Sequence, residues 1–556
     1  MTTDRNDPRP QGPSGSRRSR WARTAPAALS GLIAGFCALC VAELAAAVVR
    51  PEAGPVTAVG GAVIDRTPPA VKDFAVRNFG TDDKLVLQLG ILVLLALFAM
   101  AVGVLALRHR LVGTAAVLVF GLVGAVAAVG RPEGVPSDAL PSVIGAVVAA
   151  GVLYLLIGRL TPAPAPAAVR SPSPAAGETE TGPAPAPGAG PASTFDRRGF
   201  VIAATAAAAA SAGAGYVGRR LTASVQAGAS ASRADITLPV PDSAAPAVPE
   251  GADLGVRGIS SFVTPNKSFY RVDTALVVPR VDADSWRLRV HGKGVARPLT
   301  LGYQDLLRRT VVERDITLAC VSNEVGGPYI GNARWIGVRL ADLLREAGVK
   351  APSQGGPADQ LVSRSVDGMT IGTPVETVLD GRDAMLALGM NGEPLPFEHG
   401  FPVRMLVPGL YGYVSACKWI EDIELTTFDA YDAYWVKRDW ARQAPVKTQS
   451  RIDTPRPFAS PKAGTVPVGG VAWAQHRGIS RVEVRVDGGD WHTARLGAAD
   501  GRDTWRQWVW EWPATSGHHT LEVRATDGTG ATQTADRAGT VPDGATGWHS
   551  VVVDVD

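Results

Sequence analysis

Four apolar runs dominate the first part of the chain: Ala25–Val49, Leu85–Leu107, Leu111–Val129 and Ala139–Ile157. Each comes close to the ~20 residues that cross the hydrocarbon core of a bilayer. Backbone polar groups find no partners in lipid, so runs of this length fold as spanning helices. Positive charges then set their orientation. Arg5, Arg9, Arg17, Arg18, Arg20 and Arg23 precede the first run, and Arg108, His109 and Arg110 separate the second from the third. An inside amino terminus places both groups in the cytoplasm. It leaves one arginine in the outside loop from Arg131 to Asp138 and returns the chain to the cytoplasm at Arg159. Residues 1–24 mix their arginines with Pro, Ser and Gly and read as a disordered basic tail; residues 25–160 read as the four-helix membrane part. None of the eight histidines falls inside an apolar run. The paired ligands of a membrane haem are therefore missing, and no haem is expected. Cys37 and Cys40 read as helix-packing residues. Glu43, one turn further on, is an intramembrane carboxyl of the kind that carries function, unless it lies at the outer interface. The four helices read as an anchor or as a docking surface for a partner.

A formal charge of +3 over 556 residues gives no footprint for nucleic acid. Four cysteines, two of them in the first apolar run, cannot form a disulfide framework. Residues 161–195 are mostly Pro and Ala and read as a semi-rigid extended linker. In residues 196–220, Arg197-Arg198-Gly199-Phe200 leads into an Ala-rich apolar run. This resembles a twin-arginine export signal in an internal position. A fifth membrane helix with ordinary positive-inside arginines is the other reading. Both send the remaining chain out of the cytoplasm, and Ala229-Ser230-Ala231 is a candidate cleavage site. Residues 221–258, rich in Ala, Ser and Pro, read as a spacer.

Residues 259–445 mix strand-like runs (Ser285–Val290, Val403–Val407, Ile420–Leu425) with helical ones (Tyr303–Arg308, Ala341–Ala347), which predicts an α+β domain. Residues 446–556 alternate at Gly470–Ala474, Val482–Val486, Trp508–Trp512 and Leu521–Ala525, with Asp487-Gly488-Gly489 and Asp527-Gly528 turns. That pattern predicts an Ig-like β-sandwich. The centre of the first domain is Asp315–Leu344. There the alternating Ile316 and Leu318 lead into Cys320, and a Gly-rich turn precedes an amphipathic helix. On residue type alone Cys320 is a small buried hydrophobe; its place at a strand end before glycines also suits a ligand.

The run Cys320-Val321-Ser322-Asn323-Glu324, followed by Gly331–Leu344, resembles the molybdopterin domain of the sulfite oxidase family. So do Phe269-Tyr270-Arg271-Val272-Asp273 and Asn391–Arg404 with its continuation through Pro408-Gly409 to Lys418-Trp419. The resemblance implies a molybdenum–molybdopterin cofactor, with Cys320 as the single thiolate on the metal. A soft ligand suits a soft centre, and one protein ligand leaves positions for oxo groups and substrate. Tyr270, Arg271, Asp273, Asp367, His399, Arg404, Ser415 and Lys418 are implied to line the cofactor, with Asp273 standing where the family commonly has His. The tryptophan-rich second domain resembles the family's carboxy-terminal dimerisation domain, so a homodimer is implied. So are a small-molecule substrate and an electron-transfer partner.

Three departures bear on substrate. Glu324 and Glu511 stand where sulfite-oxidising members have arginine, and Leu388 where they have Tyr before Met-Asn-Gly. If both carboxylates lined the pocket they would repel an anion. The expectation is therefore oxygen-atom transfer on an S-oxide or N-oxide, with Arg271 compensating one carboxylate and Glu324 as a proton donor. A true sulfite oxidase and a non-catalytic binding module that keeps only the fold are the alternatives.

Overall fold

The computed structural model describes residues 15–67, 71, 83–131, 134–161 and 197–556. The start of the expected tail and nearly all of the expected linker lie outside the described residues. The chain divides into two units, Met1–Ser224 and Val225–Asp556.

In the first unit the expected membrane helices form at Gly15–Val49, Asp83–Arg108, Arg110–Val129 and Ala139–Leu160. With Arg197–Ala234 they make five helices long and apolar enough to cross a membrane. The first begins at Gly15, inside the segment expected to be disordered, because a helix already nucleated by an apolar run extends at little cost into Arg and Ala. A shorter helix, Pro55–Arg66, fills part of what hydropathy left as a loop. Small residues let the helices touch: Gly31 packs against the backbone of Ala99 and Gly103 against that of Ala27, with no room for a Cβ. Cys37 and Cys40 are buried, Cys37 donating to the Ala207 carbonyl at 3.6 Å and Cys40 packing on Gly215, while Glu43 is exposed.

The helix Arg197–Ala234 runs through the first part of the expected spacer, and the rest of that segment is not a spacer either. Ala229 is fully buried and Arg233 donates to the carbonyls of Pro394 and Leu395 at 2.6 and 2.7 Å. The candidate cleavage site is thus helical and packed rather than the exposed, irregular chain that proteases favour. Further on, Asp242 accepts from the Val311 amide, Glu313 donates to the Ser243 carbonyl, and Ala252 is fully buried. Low-complexity composition hid these contacts because they use backbone groups and small side chains.

Strands β1 (Arg287–Gly292), β2 (Leu299–Gly302), β3 (Val311–Ala319), β4 (Ile330–Arg339), β5 (Gln360–Ser365), β6 (Thr370–Pro374), β7 (Met385–Met390), β8 (Glu393–Pro394), β9 (Arg404–Leu406) and β10 (Ile420–Thr426) build two sheets. One has the order β2-β1-β10-β5-β6, with β1 parallel to β10; the other has β3-β4-β7-β8, with β9 beside β7. Helices Tyr303–Leu307 and Leu340–Glu346 fall where the spacing of apolar residues put them. Both sheets share one core that includes Trp286, Trp335, Leu361 and Met385.

The carboxy-terminal region is β-rich: β11 (Gln449–Thr454), β12 (Gly464–Trp473), β13 (Ile479–Val486), β14 (His492–Thr493), β15 (Arg495–Leu496), β16 (Arg506–Ala514), β17 (Gly517–Asp527) and β18 (His549–Val555). Two four-stranded sheets, β11-β12-β16-β15 and β14-β13-β17-β18, enclose a core of Val468, Trp508 and Trp512 against Val484, Val523 and Val553. Alternation along each strand is what feeds this core.

Asp527 ties the end of β17 to the chain entering β11. Its buried carboxylate accepts from Thr448 Oγ1 and Arg477 Nε at 2.9 Å each and from Thr529 Oγ1 at 2.6 Å. Burial alone would raise its pKa, but these donors outweigh it and hold the group at about 2. A depressed carboxylate adds stability above its unfolded pKa and loses it as pH falls toward the folded value. Asp527→Asn should therefore cost about 2 kcal/mol near neutral pH, with the deficit shrinking as pH falls below about 4 and gone only below about pH 2. Denaturant unfolding of the full chain at both pH values tests this; an unchanged midpoint near neutrality contradicts it.

Candidate cofactor site

Strands β3 and β4 pair in antiparallel register up to Ala319 and Ile330, and the chain between them makes the excursion that carries Cys320. The Cys320 amide donates to the Tyr329 carbonyl at 3.0 Å, which closes the base of the excursion. Asn323, nearly buried, accepts from the Tyr329 amide at 2.7 Å, and its own amide reaches the Cys320 carbonyl at 3.1 Å. The thiol is therefore fixed on both sides and opens on a cavity of about 130 Å³. Burial raises its pKa, and the Ser322 amide, the Ser322 hydroxyl and the charge of Lys418 pull the other way.

Tyr270, Asp273, Asp367, Arg404 and Lys418 line the same cavity. Arg404 leads β9 into the core and is 5% exposed, its guanidinium 5.4 Å over the Trp335 ring. Burial lowers its pKa to about 10, so it stays charged, and its Nε has no partner among the described residues. Lys418 donates to Asp273 at 2.9 Å and to the Glu398 carbonyl at 3.1 Å. Burial brings its pKa down to about 8, with Asp273 opposing the fall. His399 donates from Nε2 to the Asn266 carbonyl at 2.9 Å, which leaves Nδ1 as a buried acceptor without a partner. Burial holds this ring neutral, with a pKa of about 4. Ser365, also on the cavity wall, has a buried hydroxyl without a partner.

Buried polar atoms are nearly always satisfied. Among the described residues, Arg404 Nε and Ser365 Oγ on the cavity wall are not, nor is His399 Nδ1 behind it, next to Arg404. Together with the two buried cations and the thiol they fit an anionic group rich in hydrogen-bonding edges and carrying a soft metal, which describes a molybdopterin.

Residues 275–435 match the family model described as oxidoreductase molybdopterin binding domain. The uncharacterised oxidoreductase YuiH of Bacillus subtilis is 32% identical over 185 residues, which is 33% of this chain and 87% of that protein. The chain belongs to the sulfite oxidase family of molybdopterin-dependent oxidoreductases. Human mitochondrial sulfite oxidase is 30% identical over 304 residues, covering 47% of this chain and 55% of that protein. Chicken sulfite oxidase is 34% identical over 290 residues, covering 45% and 62%. The chain thus spans about half the length of the sulfite oxidases it matches. Among solved structures, the sulfane dehydrogenase SoxCD of Paracoccus pantotrophus superposes with a TM-score of 0.46 at 25% identity, over 54% of this chain and 84% of that one.

Set against the family pattern, five residues fall outside the cavity lining, the first being His399, which is buried behind the wall with its carbonyl accepting from Arg404 at 3.4 Å. Ser415 is fully buried and its hydroxyl is shared between the carbonyls of Leu410 and Tyr411, both at 3.0 Å, so it caps a short helix and does not line the cavity. Arg271 is exposed and pairs with Asp273 at 3.0 Å from outside the cavity wall. Glu324 is exposed and absent from the cavity lining, because the turn closed by the Gly327 amide on its carbonyl turns it to solvent. Glu511 is exposed on β16, on the opposite side of the strand from the buried Trp508 and Trp512. The carboxylate repulsion expected of Glu324 and Glu511 therefore has no geometric basis. Leu388 is buried core on β7.

The lining residues that went unnoticed in the sequence include Ser365, Tyr413, Trp435 and Trp440. The aromatics form one side of the cavity, with Trp440 between Tyr413 at 5.6 Å and Trp435 at 6.1 Å. The density of rings from Tyr431 to Trp440 was the available signal.

Cys417 lines the cavity too, but it is 1% exposed and burial pushes its thiol to about 12. In cofactor-free protein, iodoacetamide at pH 8 should modify Cys320 at least about tenfold faster than Cys417, since thiolate fraction and access set the rate. Peptide mass spectrometry reads both. Equal rates would remove the distinction between the thiols.

Proposed function

We propose that this chain is a membrane-tethered oxidoreductase whose folded domains work outside the cytoplasm on a small oxygen-atom donor or acceptor. The observation that carries this reading is the partly exposed Cys320 thiol sharing one cavity with the buried cations Arg404 and Lys418. Cys320 would hold the metal through Sγ. Arg404 and Lys418 would neutralise the cofactor's phosphate, while His399 Nδ1, Ser365 and Asp367 would meet its polar edges. When bound, the cofactor supplies two-electron oxygen-atom chemistry; the chain supplies binding, orientation and the exclusion of water. Tyr413, Trp435 and Trp440 provide the dry side of the cavity.

A neutral substrate such as an S-oxide or N-oxide is favoured by what is missing. The described cavity lining offers two cations, Arg404 and Lys418; Lys418 is engaged by Asp273, and both would be drawn on by the cofactor. Sulfite is the second reading, supported by the activity named for the relatives. The β-rich region is assigned as an Ig-like dimerisation domain, and the membrane helices as anchor and docking surface for an electron partner.

Purified holoprotein should contain about one molybdenum per chain, and Cys320→Ser should lose it while keeping its fold, because a serine oxygen is a harder donor than thiolate. A fully loaded, active Cys320→Ser protein would sink the assignment. Steady-state assays then separate substrates: turnover on S-oxides should exceed that on sulfite, and fast sulfite oxidation at low KM reverses the choice.

Export rests on the Arg197-Arg198 pair. Replacing both with Lys should leave the folded domains inside the cell if the twin-arginine route is used. Unimpaired export, read by protease accessibility in spheroplasts, would favour an ordinary membrane helix.

A further inference from the structure

The excursion that carries Cys320 is gripped from the second domain. Arg451 on β11 donates from Nη1 to the Gly327 carbonyl at 2.9 Å, from Nη2 to Ser260 Oγ at 2.9 Å, and from Nε to Asp453 at 2.6 Å. Asp453 in turn accepts from the Ser260 amide at 2.9 Å. The Arg451 and Asp453 side chains are 11% and 8% exposed, so this is a desolvated, fully engaged fork. Beside it, the His549 ring of β18 lies so close to Gly326 that no Cβ fits there, and Gly326 has φ +79°, where glycine is favoured. The ring is set by the Ile452 amide, which donates to Nδ1 at 3.0 Å.

The other flank of Cys320 is held from the same domain. The Thr317 amide donates to the Asp503 carbonyl at 2.9 Å, its hydroxyl accepts from the Trp505 amide at 2.7 Å, and its carbonyl accepts from Gln475 at 3.1 Å. Both sides of the thiol are thus fixed by residues far away in sequence. The cavity itself contains no residue of that domain.

We infer that Arg451 is a positioning residue for Cys320, acting through Gly327 to hold the excursion at one geometry. The inference rests on the reading of Cys320 as the metal ligand. A thiolate bound to a metal is directed by its backbone, and supports of this kind tune the ligand without touching the metal. Three donors in one plane meet three acceptors on three separate segments. A lysine ammonium can reach only part of that set, so the conservative change should rescue partially.

The test uses full-length Arg451→Met, Arg451→Lys and Cys320→Ser proteins. Amide hydrogen exchange is read over Val321–Tyr329 and, as a control, over β12 and β17; metal–sulfur distance and molybdenum content are read on loaded protein. Arg451→Met should raise exchange of the excursion about tenfold or more with little change in β12 and β17, since loss of a local tether opens a local unit. It should also alter the metal–sulfur distance or lower molybdenum content, with Arg451→Lys in between. Unchanged exchange in the excursion overturns the inference, and so does a rise spread evenly over β12 and β17, which marks a purely structural role. Cys320→Ser should lose molybdenum with the excursion still protected; if it keeps molybdenum, the ligand reading fails while the exchange result stands on its own.

Discussion

Two cations buried in one small cavity set the terms for the rest of this domain. Arg404 and Lys418 are 5% and 9% exposed, and desolvating a charge costs several kcal/mol unless a partner repays it. Asp273 meets Lys418 at 2.9 Å, but among the described residues Arg404 has a ring face and one long hydrogen bond, to the His399 carbonyl at 3.4 Å. An anionic ligand would complete the set and meet the unpaired Arg404 Nε and Ser365 Oγ of the wall. Folding and cofactor binding are coupled through this cavity, as in other sites where ligand energy is also stability.

The surrounding architecture keeps the thiol and the cations at fixed separation. Cys320 hangs from the β3–β4 pair, Arg404 from β9 beside β7, and Lys418 from the chain entering β10 in the other sheet. The cavity is therefore bounded by both sheets of the domain, and the core that joins them is also what holds the site together. The second domain adds its grip on the Cys320 excursion from outside.

Much of this was legible in the sequence, for reasons that differ by element. Long apolar helices are written in unbroken apolar runs and core strands in apolar periodicity, which burial enforces residue by residue, so Ile420–Leu425 and Trp508–Trp512 lie inside observed strands. Cys320, Arg404 and Lys418, singled out from short motifs, line one cavity because those motifs fix their local backbone. Ser415 was misread since a hydroxyl next to a helix end can turn inward to carbonyls as easily as outward to a ligand. Glu324 and Glu511 were misread for another reason: position in a motif says which residue stands there, but a single turn or the strand period decides which way it faces. The contacts of residues 235–258 left no trace in composition, because they run through backbone groups.

Asp273 shows how one departure from the family pattern reshapes the charge balance. A histidine at this position would put a third group able to carry positive charge next to Lys418 and Arg404. The carboxylate instead accepts from Lys418 at 2.9 Å and from Arg271 at 3.0 Å, joining a buried cation to an exposed one. Lys418 is then partly committed within the protein, while Arg404 Nε has no partner among the described residues. With the positive charge so divided, little is left over in the cavity to hold a dianionic substrate. That shortage of cations, rather than a repelling carboxylate, is what supports the proposal of a neutral oxygen donor or acceptor.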